Sequence, residues 1–220
     1  MVVAQPSRLN QQSYVLNEAV LKVGDGSELT RNLDVVQSIL LFLDQHIAHQ
    51  SSILDLCVGT GICTTPLGQY YSVIAVEKDP VYRQPFDRYL WNVGLASRIK
   101  VIPGDIECHD TVLEHELVKS RRFDAAIVNP PFGLIPESLE IAKAVNPDVI
   151  LGVLPLDVIE EAQSGESNRR DEPSVVEKDR RFIAKLREVW QLIAIEPFLR
   201  PDGTAQTGAF VFKRSRLTRR

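Results

Sequence analysis

The sequence predicts an α/β fold: a doubly wound, mostly parallel seven-stranded sheet with helices on both faces and an antiparallel last strand. Three observations predict it. Five short apolar runs recur, at 53–56, 73–76, 99–102, 125–128 and 149–154. Helical segments lie between them, for example at 111–119 and 137–144. Two further β-type runs, near 192–195 and 208–212, flank the turn sequence Arg200-Pro201-Asp202-Gly203, which suits an antiparallel hairpin. Runs apolar on both faces and separated by helices imply a buried parallel sheet.

Taken in order, residues 1–29 read as a loosely structured extension. An amphipathic helix follows. Leu33, Val36, Leu40, Leu43 and Ile47 share one face, with Thr30 or Asn32 as candidate N-cap. The five strand–helix units come next. Residues 164–181 form a polar stretch with equal numbers of acids and bases, a long loop running into a helix that ends near Trp190. The closing hairpin and a basic tail complete the chain. The domain organisation is therefore an extension at 1–29, one folded domain at 30–213 carrying the loop 164–181, and a tail at 214–220. There are no internal repeats.

Composition narrows the class. The chain has 220 residues, 44% of them hydrophobic, enough for one domain with a sizeable core. No apolar run approaches the roughly 20 residues of a membrane span. Residues 1–10 lack a charged-then-apolar signal pattern, so a cytoplasmic protein is expected. Cys57, Cys63 and Cys108 show no metal-ligand spacing and read as reduced thiols of such a compartment. The net charge is −4, but residues 213–220 hold five Lys or Arg and no acid. A basic tail on an acidic body either contacts phosphate or is a solvated terminus.

The first strand runs into Asp55-Leu56-Cys57-Val58-Gly59-Thr60-Gly61, and a helix follows. Glycines there let the backbone approach a ligand closely. Thr64 stands where a dinucleotide fingerprint needs a third glycine, and no Gly-Lys-Ser/Thr follows to make a phosphate-binding loop. The second strand ends in Glu77, placed to accept ribose hydroxyls; Asp79 before Pro80 reads as a helix cap. The third leads to Gly104-Asp105-Ile106. Asp105 either accepts from an adenine amino group, with Ile106 packed on the ring, or is a turn residue.

The fourth strand exits into Asn129-Pro130-Pro131-Phe132-Gly133. Two prolines stiffen the backbone and remove two N–H donors, leaving carbonyl oxygens at the strand's carboxyl end, where open α/β sheets bind ligands. With the Asn129 side-chain carbonyl, two acceptors can hold an NH₂ group and orient its lone pair. Phe132 offers a stacking face. A weakly nucleophilic amide or arylamine nitrogen needs such alignment and charge acceptance more than a strong base.

These segments, ILDLCVGTG, VIAVEKDP, RIKVIPGDIE and FDAAIVNPPFG, resemble the class I, Rossmann-like S-adenosylmethionine-dependent methyltransferases. Within them the chain looks like the (D/N)PP(Y/F) branch, which methylates adenine N6, guanine N2 or the glutamine side-chain amide. The resemblance covers about residues 29–213. It implies S-adenosylmethionine as cofactor, with Asp55, Gly59 and Gly61 at its methionine part, Glu77 at its ribose, and Asp105 and Ile106 at its adenine. It implies Asn129, Pro130 and Phe132 as the catalytic corner around the target nitrogen, without a metal. Cys57-Val58 departs from the small residues many relatives carry there.

The acceptor stays open. DNA enzymes of this branch usually add a target-recognition domain, for which the short extension and the 164–181 loop leave no room. An adenine N6 amino group in RNA or DNA is the expected target, a flipped or unpaired base explaining the stacking Phe132. The alternatives are protein glutamine N5 methylation and a non-catalytic subunit that kept the fold as a binding partner.

Overall fold

A computed structural model of the chain describes residues 33–130, 134–155, 189–199 and 205–214. The elements run α1 (Leu33–His46), β1 (Ser52–Leu56), α2 (Thr64–Leu67), β2 (Ser72–Val76), α3 (Pro80–Asn92), β3 (Ile99–Ile102), α4 (His109–Leu113), α5 (Glu116–Lys119), β4 (Ala125–Val128), α6 (Ile135–Val145), β5 (Val149–Pro155), β6 (Trp190–Leu199) and β7 (Ala205–Arg214). One sheet has the order β3-β2-β1-β4-β5-β7-β6. The first five strands pair in parallel, and β7 runs antiparallel to both β5 and β6. The expected topology is therefore present.

Strand residues alternate between two cores because successive side chains point to opposite faces. Ile53, Val73, Ala75, Ala125 and Ile127 pack with Val36, Ile39 and Leu43 of α1 and with Phe86 and Leu90 of α3. Leu54, Leu56, Ile74, Val76, Ala126 and Val128 pack with Val112, Val118, Leu139 and Ala142 of α4 to α6, closed by Trp190 and Phe212. Burying both faces explains why these strands read as continuous apolar runs.

Four local readings need comment. The helix expected at 111–119 is two short helices, because the His115 side chain accepts from the Leu117 N–H and starts a second turn. The 137–144 helix extends to Ile135–Val145 and ends at Asn146, whose left-handed conformation (φ 55°) closes it. The closing strands reach Trp190–Leu199 and Ala205–Arg214, longer than expected, since their antiparallel pairing runs on past the apolar cores of the two runs. Residues 1–29, the caps Thr30 and Asn32, the loop 164–181, the turn 200–203 and residues 215–220 lie outside the described residues.

Candidate ligand site at the carboxyl edge of the sheet

Register brings the motif residues together. Leu56 pairs with Val76 and with Val128, and Val76 pairs with Ile102, so β1 to β4 end level. Cys57, Glu77, Pro103 and Asn129 follow at once along this edge. The strand order reverses between β1 and β4, the switch point where open α/β sheets form a crevice.

The turn after β1 is wound tightly. Cys57, Gly59 and Gly61 all have positive φ, at 64°, 56° and 76°. The Val58 N–H donates to the Val76 carbonyl at 3.0 Å, and the Gly61 N–H to the Val58 carbonyl at 3.0 Å. The two glycines differ in what surrounds them. A Cβ on Gly61 would stand 2.1 Å from the ring of Phe86, which backs the turn from α3. A Cβ on Gly59 would meet no atom of the described residues within 4 Å, so the backbone there borders open space among them.

Glu77 joins this turn to the next one. Its Oε2 accepts the Gly59 N–H at 2.7 Å and its Oε1 the Asp79 N–H at 2.9 Å. Each carboxylate oxygen keeps a lone pair beyond these bonds. Asp79 caps α3 by accepting from the Val81 N–H at 2.8 Å. Below the turn, the Asp55 carboxylate is buried and accepts from the Thr64 hydroxyl at 2.6 Å. Burial pushes its pKa up to about 7, with the Thr64 hydrogen bond opposing. The half-buried Cys57 thiol is pushed up to about 12, first by burial and then by Glu77 and Asp55, so it stays protonated and is no nucleophile.

Past β3, the Asp105 carboxylate accepts from the Glu107 N–H at 3.0 Å and faces the Lys78 ammonium at 3.6 Å. Lys78 also pairs with Glu107 at 2.9 Å. An open depression of about 540 Å³ lies here, lined by Lys78, Pro103, Gly104, Asp105, Thr111 and His115. Ile106 is only 4% exposed and sits in the second core, so at most its edge reaches a ligand.

Sequence reasoning thus brought Asp55, Gly59, Gly61, Glu77, Asp105, Asn129 and Pro130 to one edge. Asn129 is half-buried and Pro130 buried. Phe132 lies outside the described residues. Thr64, which donates to Asp55, and Lys78, Thr111 and His115, which line the depression, were not singled out by the sequence. Thr64 could have been found by asking which neighbour satisfies a carboxylate inside an apolar strand.

No family model matches the chain. No curated protein matches it by sequence. Solved structures do match in fold. An O-methyltransferase from Bacillus cereus, solved in complex with SAH, superposes with a TM-score of 0.67 at 17% identity, covering 93% of this chain and 90% of that one. A dimethyladenosine transferase from Plasmodium falciparum gives 0.61 at 14% identity, covering 84% and 62%. The 23S rRNA methyltransferase ErmE gives 0.53 at 12% identity, covering 82% and 68%. At these identities the likeness is one of fold.

Proposed function

We propose that the chain is an S-adenosylmethionine-dependent N-methyltransferase acting on the adenine N6 amino group of a nucleic acid. One observation carries the reading: the open-sided glycine turn held by Glu77 stands beside Asn129-Pro130 at the β1/β4 switch point. The residues present fit the cofactor. Gly59 leaves space where a side chain would otherwise intrude. Glu77 retains acceptor capacity for ribose hydroxyls, and Asp105 borders a depression where an amino group could take the place of Lys78. The similarity in fold to methyltransferases, one of them solved with SAH, supports the same choice.

The cofactor would supply an electrophilic methyl group on a sulfonium. The chain's part is orientation. Asn129 Oδ1 and the Pro130 carbonyl would accept the two N–H groups of the target, fixing its lone pair and taking up charge as the N–C bond forms and the methyl–sulfur bond breaks; the surplus proton on the methylated nitrogen would pass to water. No side chain need act as a strong base. A glutamine side-chain amide presents the same NH₂ group, so the corner suits that acceptor as well.

Transfer of labelled methyl to RNA, DNA and protein fractions in parallel tests the reading. Label is expected in nucleic acid, at adenine. Label in protein alone would move the function to the glutamine amide. No S-adenosylmethionine binding would make the chain a scaffold. Asn129→Ala removes one of two aligned acceptors, and turnover should fall roughly 10²–10³-fold, by analogy with loss of one oxyanion-hole donor. Full activity in that variant would reduce the motif to a rigid turn.

A further inference from the structure

The two edges of the sheet carry opposite charge. At the carboxyl edge the described residues include Glu77, Asp79, Asp105 and Glu107, against Lys78 and Arg83. Phosphate is repelled there. At the amino edge the balance inverts. Arg98 precedes β3, Arg121 and Arg122 precede β4, and Lys213 and Arg214 end the antiparallel β7 opposite the start of β5. Among the described residues, Arg98, Arg121, Lys213 and Arg214 make no ion pair with an acid. The acids nearby are already engaged: Asp148 pairs with Arg122 at 3.2 Å, and Asp124 accepts the Ser52 N–H at 2.9 Å.

Lys213 and Arg214 stand on the end of β7, Arg98 in the turn that enters β3, and Arg121 and Arg122 in the segment that leads into β4. The Arg214 N–H donates to the Asp148 carbonyl at 2.8 Å, and the Asp148 N–H to the Asp124 carbonyl at 3.1 Å, so β4, β5 and β7 are tied where the charges sit. Among the described residues the Arg214 guanidinium contacts Asn146, a neutral partner, and its buried Nε has no hydrogen-bond partner.

We propose that this amino edge is a docking surface for nucleic-acid phosphates, remote from the site of chemistry. The proposal rests on the nucleic-acid reading above and adds where the substrate is gripped. The edge lies about one strand length, roughly 20 Å, from Asn129. At one phosphate per about 3.4 Å of a helical strand, some six nucleotides span that distance. A structured RNA can therefore hold both ends of the sheet, while an acidic site mouth adds little affinity.

The test is fluorescence anisotropy of a labelled 20-nucleotide RNA hairpin titrated with the full chain at several KCl concentrations. Each lost phosphate contact lowers the salt slope by roughly 0.7–0.9. Arg121→Gln/Lys213→Gln should flatten the slope by roughly 1.5 and weaken binding about tenfold at low salt. Adding Arg98→Gln should flatten it further. Unchanged S-adenosylmethionine affinity by calorimetry serves as the fold check. A parental slope in both variants, or a parent that does not bind the hairpin, overturns the proposal. RNA that binds through this edge yet is never methylated overturns the enzymatic reading and leaves the surface standing.

Discussion

At the scale of single residues, Gly59 and Gly61 separate ligand from fold. Gly61→Ala meets the buried Phe86 ring at 2.1 Å and keeps an unfavourable φ of 76°. Left-handed strain of about 1–2 kcal/mol and overpacking of about 1–3 should combine to a marked loss of stability. Gly59→Ala carries only the strain, since nothing surrounds its Cβ. It should be destabilised by that strain alone, about 1–2 kcal/mol in urea unfolding and less than Gly61→Ala, while losing S-adenosylmethionine affinity; equal affinity would remove the turn from the cofactor site. Asp55 makes a different prediction. Its folded pKa of about 7 lies above the 3.8 of an ordinary aspartate, so the native state holds the proton more tightly than the unfolded chain. Stability therefore declines as pH rises from about 4 to 7, at up to about 1.4 kcal/mol per pH unit, and stays low above that. Asp55→Asn removes this dependence. The variant's Tm relative to the parent should rise between pH 5 and pH 8, whatever fixed cost its NH₂ group adds; a Tm difference independent of pH would place the Asp55 titration elsewhere.

At the scale of elements, Asp79 joins two roles. Its side chain caps α3 and its N–H donates to Glu77. Asp79→Ala should cost about 1 kcal/mol of stability from the lost cap, read from urea denaturation, and leave the Gly59–Glu77 bond to hold the turn. A loss near zero would mean α3 is held by Phe86 and Leu90 alone. This cap was legible in the sequence because Asp-Pro names its own geometry. The strands were legible too, since burial on both faces leaves unbroken apolar runs such as Ile127-Val128. The break at His115 was not. Residues 111–119 keep helical periodicity across it, and only a side-chain hydrogen bond to Leu117 decides where one short helix stops. The site divided in the same way. Gly59, Glu77 and Asn129 stand beside strand ends and could be read in order, whereas Thr64 enters through its hydrogen bond to Asp55 and Lys78 through acids that follow β3. Ile106 read as a ring-packing residue because apolar residues after a turn serve either a ligand or a core, and here the core takes nearly all of its surface.

At the scale of the whole molecule, the direction of β7 decides how the basic tail can act. Because β7 is antiparallel to β5, the chain reaches Arg214 at the amino edge, away from Gly59 and Asn129. Residues 215–220 add three arginines beyond that point. Phosphate contacts made by these residues close to where they leave β7 would extend the basic edge. Arg214 is itself part of the strand and pairs with Trp190, so a truncation that spares the sheet must begin at Ser215. If the three arginines each meet a phosphate, that truncation should lower the salt slope for RNA binding by roughly 2–3, in addition to the effect of substitutions at Arg121 and Lys213. S-adenosylmethionine affinity should not move, since the residues proposed to hold the cofactor lie at the other end of the strands. Turnover on a saturating RNA should be retained, while KM rises, because the tail contributes to holding substrate and not to aligning the target nitrogen. A slope that truncation leaves unaltered would return the tail to a solvated terminus. A fall in turnover at saturation would instead place part of the tail near Asn129, against the course of β7.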